Sequence, residues 1–144
     1  MDALAIEPIT KPFDVTFTPP GSKSLTNRAM VLAALTDGPC ALRNALFADD
    51  TRVMIDGLRR LGFKVEDDES SHVINIIGRG GEIPAKEAEL FCGNSGTTIR
   101  FLTALCALGK GTYVLDGIAR MRQRPIGPLA TMLRNLGVRV EHPM

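Results

Sequence analysis

The sequence of 144 residues contains few of the features that are typical of proteins that bind nucleic acids or membranes. Trp is absent and Tyr occurs once, so few aromatic rings are present to stack on bases. Lys and Arg number 17 against 16 Asp and Glu, which gives a net charge of +1 and no broad field that would attract a polyanion. We therefore expect neither a nucleic acid nor a membrane as a partner.

Cysteine and histidine are scarce and scattered. Cys40, Cys92 and Cys106 form no CxxC pair, and the two histidines stand alone. This pattern favours buried free thiols in a reducing compartment over a disulfide framework or a metal site, and we expect no metal and no cofactor. The sequence has no run of about 18 apolar residues and no secretory signal, which predicts a cytoplasmic protein.

The sequence contains an internal repeat. GLRRLGFKVE at 57–66 recurs as MLRNLGVRVE at 132–141, and GSKSLTNR at 21–28 has a weaker counterpart in GNSGTTIR at 93–100. Each copy holds a small-residue loop, an apolar helix, a strand, an amphipathic helix and a further strand. The first copy ends in a hairpin, whereas the second stops after the first strand of that hairpin. We therefore expect the chain to be a piece of a larger protein.

Hydrophobic periodicity predicts the elements of both copies and an α/β fold. In the first copy the predicted elements are a strand at 14–17, a helix at 24–36 that is apolar nearly all round and therefore buried, a strand at 41–46, a helix that Asp50 caps and Gly62 ends, and hairpin strands at 63–66 and 72–77. In the second copy they are a strand at 89–92, a buried helix at 97–108, a strand at 112–115, a helix at 125–136 and a strand at 138–141.

Two loops rich in Gly, Ser and Thr precede the two apolar helices and carry cations in an unusual place. A helix start is the positive end of the helix dipole, where free N–H groups bind anions and cations are disfavoured. Yet Lys23 and Arg28 lie there with no acid from Phe17 to Thr36, and Arg100 lies one turn into the second helix. The pattern predicts anion-binding loops, although helix caps and solvated charges would account for either loop alone.

A third cationic cluster, ARMRQRPIG at 119–127, precedes the start of a proline-led helix. Arg120, Arg122 and Arg124 lie there with no acid nearer than Asp116. A planar guanidinium suits a carboxylate or a phosphate, whereas a solvated basic loop is the plainer alternative and suits Arg122 well. Neither a P-loop nor a GxGxxG motif is present, so the pattern indicates an anionic ligand without the ordinary nucleotide motifs.

PGSKSLTNRA, LFCGNSGTTIR and RMRQRPIG, in this order and spacing, resemble the motifs of the 5-enolpyruvylshikimate-3-phosphate synthase family, the 3-phosphoshikimate 1-carboxyvinyltransferases. The resemblance covers essentially the whole chain but only about the N-terminal third of such an enzyme. It implies an α/β (α+β) fold of repeated βαβαββ units in which the second unit is truncated. The implied divisions are 1–20, a strand segment that in the family crosses to the other domain, and 21–144, a partial domain with one complete unit at about 21–80 and most of a second at about 81–144.

The family transfers the enolpyruvyl group of phosphoenolpyruvate to the 5-hydroxyl of shikimate 3-phosphate, a step of aromatic amino-acid biosynthesis. By this resemblance Lys23 touches both substrates, while Ser24 and Arg28 hold shikimate 3-phosphate. The family's principal acid/base carboxylates lie beyond residue 144. The resemblance therefore implies a chain that is inactive alone and that needs the missing C-terminal portion as its partner.

The other two motifs are assigned to phosphoenolpyruvate. The resemblance implies that Gly96, with Asn94 beside it, lies against this substrate, and that Arg124 clamps its carboxylate or phosphate. The chain departs from the commoner NAGTAMRP pattern of the family at four positions, which leaves its susceptibility to the inhibitor glyphosate open. These positions are Ser95, Thr98, Ile99 and Phe101.

Two alternatives remain at the level of sequence. One is a protein of the UDP-N-acetylglucosamine enolpyruvyl transferase type, a family that has Lys-Asn where this chain has Lys23-Ser24 and a reactive Cys in a Gly-rich loop. Cys92 and Cys106 are instead predicted in a strand and in a buried helix. The other alternative is a non-catalytic binding or assembly half of a split enzyme.

Overall fold

The computed structural model describes residues 4–141, in which helices and strands alternate in a mixed α/β arrangement. Along the chain the elements are α1 (Lys23–Leu35), β1 (Asp37–Arg43), α2 (Asp49–Arg60), β2 (Lys64–Asp68), β3 (Val73–Arg79), β4 (Glu87–Phe91), α3 (Gly96–Cys106), β5 (Thr112–Asp116), α4 (Ala119–Arg122) and α5 (Gly127–Asn135). None of the helices within 4–141 is long and apolar enough to cross a bilayer.

The strands form two small sheets. The first has the order β1-β3-β2, and β3 pairs antiparallel with both neighbours, which confirms the predicted hairpin. The alternation along β3 buries Ile74 and Ile76 on one face of this sheet and leaves Asn75 and Ile77 exposed on the other. In the second sheet β4 and β5 run parallel, with Leu90 opposite Leu115.

Helices α1, α2 and α3 pack together and cover the inner faces of the sheets in one hydrophobic core. The predicted stripe of α2 is confirmed, because Met54, Leu58 and Leu61 are fully buried. Gly57 on the same helix allows close packing, since a Cβ there would meet Leu102 of α3. The core therefore fixes α2 against α3, and with it the relative positions of their first turns.

The prediction that α1 is buried all round is wrong. Met30 and Ala34 are fully buried, but Leu25 and Leu32 each keep 64% of their surface exposed. Within residues 4–141, α2, α3, β1 and β3 cover one side of α1 only. The helix is apolar on a second face that nothing in this part of the chain covers.

Two predicted strands are absent from the structure. Residues 14–17 and 138–141 are extended or irregular, and Val15 and Phe17 are exposed. A strand is stabilised by hydrogen bonds to a neighbouring strand, and neither segment has such a neighbour within 4–141. The alternating sequence pattern of these two segments therefore reflects a local preference for extended structure, and no neighbouring strand within 4–141 stabilises it.

Helix ends also differ from the prediction. Asp50 was expected to cap α2, but the helix begins earlier, with Ala48 as N-cap and Asp50 in the first turn. The Thr51 hydroxyl takes over the capping, because it accepts from the Ala48 N–H at 2.8 Å and donates to the Ala48 carbonyl at 2.8 Å. Gly62 follows the end of α2 with φ +88, as expected for a helix-terminating glycine.

The helix predicted at 125–136 is shorter and has a helical turn before it. Residues 119–122 form the short helix α4, and α5 begins only at Gly127. Pro125 disfavours helical geometry at the residue before it, and Pro128 lies in the first turn of α5, where its missing N–H costs little. The cluster of arginines therefore lies on α4 and on the turn that leads into α5.

Candidate functional site

The first turns of α1, α2 and α3 meet beside the turn that enters α5. Lys23 at the start of α1 contacts Asp50 in the first turn of α2. Thr98 in the first turn of α3 bonds the backbone of Asp50, and Arg124 reaches back to the loop before α3. Three positive helix ends therefore lie close together, a favourable setting for an anionic ligand.

The loop of residues 19–24, called the first loop below, is anchored by the chain that precedes α2. A Cβ on Gly21 would overlap the backbone carbonyl of Asn44, so only glycine allows this approach. Thr26 secures the same contact, because its Oγ1 accepts a hydrogen bond from the Leu46 N–H at 3.1 Å. These contacts bring the start of α2 alongside the start of α1.

The side chains predicted in the first loop differ in their partners. Ser22 is the N-cap of α1, and its Oγ accepts from the Leu25 N–H at 3.4 Å. Lys23 Nζ lies 3.2 Å from Asp50 Oδ2, so α2 supplies the acid that the neighbouring sequence lacks. Ser24 and Arg28 are exposed, and their side chains make no hydrogen bond or ion pair to the residues at 4–141.

Asn27 is a functional candidate that the sequence prediction missed. It lies beside Arg28 on the inner side of α1 and is fully buried, yet neither Oδ1 nor Nδ2 has a hydrogen-bond partner within residues 4–141. Leaving a buried polar group unpaired costs about 1–3 kcal/mol. The sequence signal that could have identified Asn27 is its polar amide within an otherwise apolar helix. The free-energy cost of burying this amide unpaired indicates that this turn of α1 is not optimised for stability alone.

The loop of residues 92–96, called the second loop below, is closed by two buried hydroxyls. Ser95 is the N-cap of α3 and accepts from the Thr98 N–H at 3.2 Å, and the two hydroxyl oxygens are 2.7 Å apart. Thr98 donates its proton to the Asp50 carbonyl at 3.1 Å, so Ser95 is the donor within the pair. Ser95 and Thr98, two of the four positions that depart from the common family pattern, thus form a buried hydrogen-bonded link between α3 and α2.

Asn94, Gly96 and Arg124 lie in contact with one another. Nη1 of Arg124 donates to the Asn94 carbonyl at 3.0 Å. A Cβ on Gly96 would lie 2.6 Å from Cζ of Arg124, so the guanidinium rests directly against the first turn of α3. Arg124 is exposed and makes no ion pair with the residues at 4–141. Its remaining N–H donors are therefore available to a ligand.

The cation of Arg100 is not available in the same way. Its Nη1 donates to the Gly96 carbonyl at 2.9 Å and its Nη2 to the Pro125 carbonyl at 2.6 Å. Arg100 therefore adds a cation one turn into α3, but two of its donors are bound to backbone carbonyls. Arg100 thereby ties the turn that carries Arg124 to α3.

Arg122 is also paired, so its interpretation as a merely solvated cation is wrong. It forms a two-pronged ion pair with Asp116, with distances of 2.9 Å from Nε to Oδ1 and 2.6 Å from Nη2 to Oδ2. The hydrogen bonds from Arg122 lower the pKa of Asp116 to about 2. Arg120 contacts Gln123. Among the three arginines of the cluster, Arg124 is the one whose guanidinium meets the second loop.

Two of the thiols are buried, as expected. Cys92 and Cys106 lie in the core, and burial is the main cause that raises the pKa of each to about 12. Both thiols are therefore protonated near neutral pH, and a protonated thiol is a poor nucleophile. Cys106 lies in α3 as predicted, whereas the prediction of Cys92 in a strand is wrong, because β4 ends at Phe91 and Cys92 begins the second loop. Burial distinguishes both from the reactive loop Cys of the UDP-N-acetylglucosamine enolpyruvyl transferase type.

Comparison with known proteins identifies the family to which these motifs belong. The family profile described as EPSP synthase (3-phosphoshikimate 1-carboxyvinyltransferase) matches residues 8–143. The chain belongs to the EPSP synthase family. The resemblance inferred from the three motifs is thereby confirmed, since a match of this extent includes the first loop, the second loop and the arginine cluster.

Several 3-phosphoshikimate 1-carboxyvinyltransferases are similar to the chain over most of its length. The protein of Nostoc punctiforme is 49% identical over 140 residues, which is 97% of this chain and 33% of the relative. That of Thiobacillus denitrificans is 50% identical over 123 residues, or 85% of this chain and 28% of the relative. The chain spans about a third of the length of these EPSP synthases.

A solved structure supports the fold. The EPSP synthase from Acinetobacter baumannii superposes with a TM-score of 0.77 at 29% identity, and the match covers 85% of this chain and 28% of that one. The mixed α/β arrangement is therefore that of part of an EPSP synthase.

Proposed function

We propose that this chain is the N-terminal portion of an EPSP synthase, an enzyme that transfers enolpyruvyl from phosphoenolpyruvate to the 5-hydroxyl of shikimate 3-phosphate. One observation carries the proposal furthest. Arg124 lies against Gly96 and Asn94, thirty residues away along the chain, with one of its N–H groups bound to the Asn94 carbonyl. An exposed guanidinium held beside a helix start suits the carboxylate or the phosphate of phosphoenolpyruvate.

The first loop binds shikimate 3-phosphate in this proposal. Ser24 and Arg28 are exposed, and nothing within residues 4–141 takes up their side chains. Lys23 of the first loop faces the second loop in this proposal, since Asp50 binds its ammonium and is itself bound by Thr98, the partner of Ser95. It therefore contacts both substrates. Together the cations hold the two substrates in reacting geometry and stabilise the charge that develops in the transition state.

The element order supports a repeat of βαβαββ units. Each loop contains a serine N-cap and leads into a helix, a strand and a further helix, as α1-β1-α2 in the first half and as α3-β5-α5 in the second, where the short α4 precedes α5. We propose a complete unit at about 21–80 and most of a second at about 81–144. Residues 1–20, of which 4–20 are exposed, belong in this proposal to a strand segment that crosses to the other domain.

The partner of the chain is the remaining C-terminal portion of the enzyme. Apolar side chains are exposed on two helices, where Leu25 and Leu32 lie on α1 and Met132 on α5. An uncovered apolar surface favours contact with a further part of the protein. The acid/base carboxylates of the reaction belong to that portion in the family, so the chain alone is inactive.

Complementation tests this function. The chain is mixed with a separately produced C-terminal portion of the Nostoc punctiforme relative, and phosphate release from phosphoenolpyruvate and shikimate 3-phosphate is measured. We expect no turnover from either part alone and turnover from the mixture. The matched control is a mixture made with the Arg124→Ala chain, which should assemble but turn over far more slowly.

The possible results separate the alternatives. Assembly without any turnover would favour a non-catalytic binding half. Turnover with UDP-N-acetylglucosamine in place of shikimate 3-phosphate would favour the other enolpyruvyl transferase type, which the buried state of Cys92 and Cys106 disfavours. Turnover by the chain alone, free of host enzyme, would contradict the proposal that the missing portion supplies essential groups.

A further inference from the structure

We propose that Asp50 is the built-in counter-ion of the substrate-binding Lys23, so that an anionic ligand must displace its carboxylate in order to engage the ammonium. This inference rests on the proposed function, which places an anionic ligand at Lys23. Asp50 then lowers the affinity of the empty site for anions in general. Only a ligand that makes further contacts with the two loops gains enough binding free energy to offset the loss of the Lys23–Asp50 ion pair.

The ion pair has the geometry of a contact that can be exchanged. Lys23 Nζ is 3.2 Å from Asp50 Oδ2, with about half of the Lys23 side chain and a quarter of the Asp50 side chain exposed. The ammonium is on a flexible four-carbon stem and has three donors, so it can turn towards a ligand. Exposed ion pairs are weak, and such a pair shifts an equilibrium by about fivefold at most.

The backbone of Asp50, in contrast, is held by α3 and by the capping bonds of its own helix. Its carbonyl accepts a hydrogen bond from the buried Thr98 hydroxyl of α3, and Thr98 is in turn held by Ser95. The start of α2 is also closed by the reciprocal bonds between Thr51 and Ala48. The backbone of Asp50 therefore stays in place when the ammonium leaves, and its short side chain keeps the carboxylate within reach of Lys23 when the ligand departs.

Asp49 provides the contrast that makes the inference testable. It lies next to Asp50 in the first turn of α2 and carries the same charge, but within residues 4–141 it forms no ion pair. Removing either carboxylate changes the net charge equally and removes a favourable acid from the helix start. Only the Asp50 change releases Lys23.

The experiment measures the binding of inorganic phosphate to the chain by nuclear magnetic resonance at low ionic strength, where screening is weak. The chains compared are the unchanged one, Asp50→Asn, Asp49→Asn and Lys23→Gln, together with each aspartate change made in the Lys23→Gln background. We expect Asp50→Asn to bind phosphate about two- to fivefold more tightly than Asp49→Asn. In the Lys23→Gln background the two aspartate changes should have equal effects. Equal phosphate affinities of the two aspartate variants in the presence of Lys23 would overturn the inference.

Failure of the proposed function gives a different result. If phosphate binds to the unchanged chain and to Lys23→Gln with equal affinity, or binds to neither, the anion site at Lys23 is wrong and this inference falls with it. If circular dichroism shows that Asp50→Asn does not fold, Asp50→Ser replaces it, since it removes the same charge with a smaller side chain. The same comparison with Asp49→Ser then decides the outcome.

Discussion

The loop that begins α1 and the loop that begins α3 each place a serine N-cap before a helix and a cation within its first turns. In the first loop Ser22 is exposed, and the side chain of Arg28 has no hydrogen-bond or ion-pair partner among residues 4–141. In the second loop Ser95 is buried, and two backbone carbonyls occupy the guanidinium of Arg100. A cation at a helix start can therefore serve a ligand or the fold, and the difference lies in whether its donors already have partners.

The glycines of the two loops provide the test with the largest expected effect. Gly21→Ala should destabilise the chain by about 3 kcal/mol, because its Cβ would overlap the rigid backbone of Asn44. Gly96→Ala should cost much less stability, because its Cβ meets the movable end of Arg124. Urea unfolding measures both. Gly127→Ala is the control, with nothing within 4 Å of the added Cβ. Equal losses for Gly21 and Gly96 would show that the two loops do not differ in rigidity.

The arginine that serves the second loop is tested in the reconstituted enzyme. Arg124→Lys should reduce turnover by about one to two decades, because a charge-assisted hydrogen bond made in the transition state contributes about 1.5–3 kcal/mol. Arg122→Lys should have little effect, because Arg122 pairs with Asp116 at the exposed surface. Steady-state kinetics on both variants decide between them. A similar loss for both would mean that the wrong arginine has been assigned to the substrate.

The two N-caps give a smaller and directly matched comparison. Ser95→Ala should cost about 1–3 kcal/mol, because it leaves the Thr98 N–H without its partner in the core. Ser22→Ala should cost about 0.5 kcal/mol, since water replaces a long, exposed bond. Urea unfolding again provides the measurement. Ser95→Ala/Thr98→Ala should lose less than the sum of its single changes, because each hydroxyl is the other's partner, and simple additivity would refute the coupled pair.

The smallest expected effect concerns pH. The hydrogen bonds from Arg122 lower the pKa of Asp116 from 3.8 to about 2. Because the folded-state pKa is the lower one, the resulting stabilisation is fully present above about pH 4 and is lost as the pH falls towards 2. Titration of the Asp116 carboxyl by nuclear magnetic resonance should give a midpoint near 2, and Arg122→Gln should raise it. An unchanged midpoint in that variant would show that Arg122 is not the cause.

Local patterns in the sequence were sufficient for much of the fold. The apolar stripe of Met54, Leu58 and Leu61 predicted the buried face of α2, and the alternation after Gly62 predicted the hairpin of β2 and β3. The strands expected at 14–17 and 138–141 are absent, because a strand needs a partner and the pattern does not say whether one is present. The boundary of α2 was missed because Thr51 replaces the expected Asp50 cap.

The sequence by itself determined the family and predicted an anion site, because the three motifs hold glycines, serines and cations whose chemistry suits anions wherever the chain places them. Only the tertiary structure decided which cations are available. Arg100 and Arg124 look alike in sequence, yet two carbonyls bind the guanidinium of the partly buried Arg100, whereas one carbonyl binds that of the exposed Arg124. Asp50 likewise becomes the partner of Lys23 through the packing of α1 on α2. Contacts between residues far apart in the chain depend on how the helices pack, which no local pattern records.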